Sequence, residues 1–104
     1  MGCEAWLAAA EAACEHGIIA ACTSGGSAYT GAPGVTPNPA KAIRMLEKAC
    51  AGKSQDGCVN LAVNLVNNGR AEDRVRALDL LATACAGGHK TACGLKTQVE
   101  SRRR

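Results

Sequence analysis

A chain of 104 residues holds one domain, and folding removes only about two-thirds of its surface from water. Its apolar share of 47% comes from small side chains, with 21 alanines, one Trp6, one Tyr29 and no Phe, which disfavours a β-sheet and a core of large residues. The formal charge of +3 equals the terminal run Arg102, Arg103 and Arg104, and residues 1–40 contain no Lys or Arg, which leaves no basic face for a nucleic acid.

Met1-Gly2-Cys3 offers a myristoylation glycine, but Trp6 stands where that motif needs Ser or Thr. No secretory signal is read, so an exported form would have lost one. No run of about 18 apolar residues is present, and no transmembrane segment is expected. Cys3 is read as a free or intermolecular thiol.

The first helix is expected over Ala5–Cys14, followed by a turn with His16 and a second helix near Ala20–Tyr29. Gly25 and Gly26 weaken that second helix by about 1 kcal/mol each. A Pro- and Gly-rich loop, Gly31–Asn38, leads to the third helix, Ala40–Cys50. This one is well punctuated, with Asn38 as N-cap, Pro39 at the first helical position and Gly52 just past the end. On its wheel Ala42, Met45, Leu46, Ala49 and Cys50 share one face, with Lys41, Arg44, Glu47 and Lys48 on the other.

The fourth helix, Gln55–Asn67, has Ser54 as cap and Gly69 as stop. Its apolar residues cover more than half the circumference, the signature of a helix with neighbours on two sides. The remainder is an uncharged strip of Asn60, Asn64, Asn67 and Asn68. After a loop over Asn68–Asp73 come a fifth helix, Val75–Cys85, and a sixth, Thr91–Ser101, with His89 in the turn between them.

Six of the seven cysteines fall into three pairs of identical spacing: Cys14/Cys22, Cys50/Cys58 and Cys85/Cys93. A regular recurrence of this kind marks a repeat protein. The expected fold is all-α: a right-handed α-solenoid of antiparallel helix pairs, about three repeats of 35–36 residues, with hairpins over about 4–30, 39–68 and 73–101 of a single domain spanning 1–104. The first Cys of each pair ends one helix and the second opens the next, so an antiparallel hairpin brings them within disulfide reach. Each such staple stabilises the hairpin by roughly 2–2.5 kcal/mol. Disulfides in turn imply an oxidising, extracytoplasmic setting: periplasm, cell surface or secretion. Buried free thiols are the alternative. A metal held with help from His16 or His89 is another, although the middle pair has no histidine.

The chain resembles the Sel-one-like repeat family, a relative of the tetratricopeptide repeats, in its disulfide-bridged, cysteine-rich bacterial branch. Ala28-Tyr29 with Gly34-Val35, Ala42 through Ala49-Cys50, Gly57-Cys58-Val59-Asn60-Leu61-Ala62, Ala77–Cys85 and Ala92-Cys93 carry the likeness. Against the family pattern, the first repeat begins part-way into its opening helix, and the chain resembles an excerpt of a longer array. The resemblance implies an adaptor or assembly scaffold.

No serine-hydrolase elbow, β-lactamase motif set, phosphate loop or His-Glu-x-x-His is found, and no catalytic residue or cofactor is expected. The expected function is a non-catalytic module that presents a helical groove to a peptide or protein. Lys41, Arg44, Lys48, Arg76 and Asp79, outward on the first helices of their pairs, are expected to grip an acidic or extended partner. Oligomers through open solenoid ends or Cys3 fit the same picture. A redox, metal- or haem-linked assembly factor is the alternative, and a β-lactam-hydrolysing repeat protein ranks below it.

Overall fold

The computed structural model describes residues 3–101, with side chains from Trp6 onward. Six helices and no strand occur among them: α1 Cys3–Glu15, α2 Ile19–Gly31, α3 Pro39–Ala51, α4 Gln55–Asn67, α5 Ala71–Ala86 and α6 Lys90–Ser101. The all-α expectation holds. Each helix packs on the next, and α2 also touches α4 while α1 touches α3. The result is an elongated body of 43 × 25 × 21 Å.

The backbone repeats as faithfully as the cysteines. In each of the three hairpin turns an amide reaches back five residues to a helix carbonyl: Ile18 to Ala13 at 3.0 Å, Ser54 to Ala49 at 3.0 Å and His89 to Ala84 at 3.1 Å. The preceding residue takes the left-handed conformation that closes a helix this way, at φ 90° for Gly17, 72° for Lys53 and 98° for Gly88. Lys53 is the one non-glycine in that role, and its Cβ makes the conformation costlier than in the two glycines. These turns set the disulfides Cys14–Cys22, Cys50–Cys58 and Cys85–Cys93 at Cα separations of 4.6, 4.5 and 4.7 Å. Cys3 and the arginine tail have side chains outside the described residues.

Several boundaries differ from expectation for local reasons. α1 and α3 each span 13 residues, so α1 runs beyond the Ala5–Cys14 expected for it. α5 starts four residues before Val75, because Ala71 is a strong helix former and Glu72 and Asp73 favour the positive end of the helix dipole. The helix weakened by Gly25 and Gly26 forms in full, and both glycines are buried. A Cβ at Gly26 would stand 2.6 Å from Leu46 Cδ2, so the missing side chains let α3 approach α2 closely.

Asn38 and Ser54 cap as expected, accepting from Lys41 N at 3.1 Å and Gly57 N at 3.0 Å. The main core joins hairpins two and three: fully buried Leu46, Leu61 and Leu81 sit among Ala42, Ala62, Ala77, Ala84 and Ala92. The alanines bring helix axes together and the leucines fill the remaining space. Cys14 and Cys22 form their own buried cluster with Met45 and Ala49.

Candidate functional site

A concavity of about 620 Å³ draws on all three hairpins. Trp6 of α1 stands at it, Ser24 and Ser27 of α2 and Asp56 and Asn60 of α4 line it, and His89 from the last turn closes it. The serines and Asn60 are neutral and polar, and Ala28, Ala32 and Val59 add apolar lining. Trp6 is 44% exposed, an unusual state for the one large aromatic of an alanine-rich protein.

One wall is held by a ladder of side-chain hydrogen bonds between α2 and α4. Thr23 and Ser54 share a bond at 2.9 Å, Asn60 donates to Ser27 at 2.6 Å, and Asn64 donates to Thr30 at 2.9 Å. Thr23, Ser27 and Thr30 are four and three residues apart, which places them on one face of α2. Asn64 is buried at 5% exposure and spends its second N–H on the Asn60 carbonyl at 2.9 Å. The asparagine strip therefore divides: Asn60 and Asn64 join α4 to α2, whereas Asn67 and Asn68 are exposed.

The other end is organised by His89. Its Nδ1 accepts the Ala92 backbone N–H at 3.2 Å, capping the first turn of α6. A ring nitrogen that accepts carries no proton, so the proton resides on Nε2 and is donated to Asp56 Oδ1 at 2.8 Å. Beyond its place in the turn, the His89 side chain is 19% accessible and bridges α6 to α4. His16 is exposed.

The five charged residues expected to bind a partner do not line this concavity. Lys41 pairs with Glu11 at 3.3 Å and lies 5.3 Å from the Tyr29 ring centroid. Tyr29 donates to the same Glu11 carboxylate, and this hydrogen bond, followed by Lys41, holds the Glu11 carboxyl below its ordinary value. The same contacts push Tyr29 and Lys41 upward, with Glu11 the leading cause in each. Arg76 makes a fork to Glu47 at 3.1 Å on both arms, which raises its value further. Arg44 and Lys48 border a smaller depression of about 200 Å³ beside Glu11 and Glu15. Asp79 borders another, of about 430 Å³, against the Cys50–Cys58 bridge. Thus two of the five commit their charge within the molecule, and the other three stand around separate hollows.

No family model, curated protein or solved structure matches this chain.

Sequence reasoning passed over Trp6, Ser24, Ser27 and Asp56 as site residues. The signal was the unbroken absence of basic residues through the first 40 positions, together with hydroxyls at helical spacing on α2. No group of three or more His, Cys, Asp or Glu side chains converges as for a metal ion among the described residues. No helix among the described residues is long and apolar enough to cross a membrane.

Proposed function

We propose that this protein is a non-catalytic docking scaffold, a short right-handed α-solenoid of the Sel-one-like kind that works in an oxidising, extracytoplasmic setting. The observation that carries this reading is the groove contributed by all three hairpins, framed by hydroxyl and amide side chains with an exposed indole at its rim. Extended segments need hydrogen-bonding partners along their backbone and a large anchor to bury, and such a groove offers both. The disulfides support the compartment, because three bridges in a small chain persist only where thiols are not kept reduced. They also lend a small alanine core the stiffness that a preorganised docking surface requires.

A displayed library of random linear peptides, panned on the disulfide-intact chain, tests the reading. Selected peptides bind the parent protein and lose binding to Ser24→Arg, whose long side chain enters the groove. Arg44→Glu and Arg76→Glu retain binding and helicity. Peptides indifferent to Ser24→Arg but lost on Arg44→Glu and Arg76→Glu would return the contact face to the charged helix surfaces.

A further inference from the structure

The groove has a distinct electrostatic character. Among the described residues, none of the groove's lining is Lys or Arg, and Asp56 supplies the one carboxylate. Lys90 is exposed next to His89 but is not part of the lining. Asp56 is both accessible and fixed: its side chain is 76% exposed, yet Oδ1 is held by His89 Nε2–H. The imidazole is in turn fixed by the helix cap it makes through Nδ1. A carboxylate oriented by a neutral donor keeps its full negative charge, whereas one paired with Arg or Lys would be neutralised. Trp6, on the same groove, is 44% exposed, and an indole is the aromatic ring that best attracts a cation.

We infer that the groove takes a protein segment bearing a lysine or arginine, whose cation seats on the Asp56 carboxylate while its aliphatic stem packs along Trp6. Resting on the docking reading above, this assigns the partner's chemistry as basic, in contrast to the acidic or extended partner expected from Lys41, Arg44, Lys48, Arg76 and Asp79. No Lys or Arg of the groove lining competes for Asp56: residues 1–40 contain neither type, and Lys41 is engaged with Glu11. Ser27 and Asn60, already bonded to each other, line the path beside it and serve the neighbouring neutral part of the segment.

The test reads the sequences selected from the random peptide library, then titrates one selected peptide against variants. Enrichment of Lys or Arg and depletion of Asp and Glu is expected. Asp56→Asn should weaken the peptide about three- to fivefold, in keeping with a charge pair open to solvent. Trp6→Ala should weaken it about tenfold or more, as loss of an aromatic anchor does. Replacing the selected basic residue by norleucine should erase the effect of Asp56→Asn while leaving that of Trp6→Ala. Helicity of each variant serves as the folding control. Peptides rich in Asp or Glu, or basic peptides indifferent to Asp56→Asn, would overturn the inference while leaving the groove as a docking site. Peptides indifferent to Ser24→Arg, or no selected peptide at all, would overturn the docking reading and this inference together.

Discussion

The two joints of the stack are built from different materials. Between hairpins one and two, polar side chains meet: Thr23 with Ser54, Ser27 with Asn60, Thr30 with Asn64, and Lys41 with Glu11. Gly25 and Gly26 close the remaining gap against Met45 and Leu46. Between hairpins two and three the joint is mainly aliphatic, with Leu61, Leu65 and Leu81 among alanines, and its polar links, Arg76–Glu47 and His89–Asp56, sit toward the surface. The same repeated turn and the same staple thus support joints that respond to different insults. The first joint is specific in register, because each donor must meet its acceptor beside the buried Cys14, Cys22, Met45 and Ala49, while the second rests mainly on aliphatic packing.

That contrast breaks most decisively at Leu81. Leu81→Ala removes a fully buried side chain from the second joint and should cost about 2–5 kcal/mol, measured by denaturant unfolding. Asn64→Ala strikes the first joint instead. It removes two hydrogen bonds of a buried amide and should cost about 1–3 kcal/mol. Amide exchange should rise in α2 and α4 and much less in α6. A uniform rise across all six helices would mean that the two joints are not separable.

Acid sharpens the comparison further. The Glu11 carboxyl is held low by Tyr29 and then Lys41, so its contribution is present above the ordinary glutamate value near 4.5 and lost as pH falls through the lower folded value. Acidification below ~4.5 should therefore loosen contacts of α1 with α2 and α3, and Glu11→Gln should flatten that part of the pH–stability curve. The smallest effect belongs to Arg76→Ala. Its fork to Glu47 is nearly half exposed on both sides, and its loss should cost only about 0–1 kcal/mol, diminishing with salt.

Much of this architecture was legible in the residues. The C-x₇-C spacing anticipated the hairpins and their bridges, and Asn38 and Ser54 announced their helices because cap chemistry is local. What escaped depends on partners distant in the chain. Gly25 and Gly26 read as weakening their helix because propensity is a one-helix property, whereas in the fold they admit Leu46 and Met45 from α3. His89 read as a turn residue because nothing local reveals Asp56, 33 positions away. The expectation placed the groove on the charged outer faces of the first helices because exposed charges are conspicuous in a sequence. Neutral hydroxyls on α2 gain meaning only once α4 lies alongside.

The central claim is that each hairpin carries its own bridge and that the three stack in order. Non-reducing peptide mapping tests it directly, since trypsin separates Cys50 from Cys58 at Lys53 and Cys85 from Cys93 at Lys90. Cleavage after Glu4 and Glu15 separates Cys3, Cys14 and Cys22. The account predicts linked peptides 14–22, 50–58 and 85–93 and no other pairing among these six cysteines. Bridges between hairpins, or six free thiols in protein isolated without reductant, would contradict it.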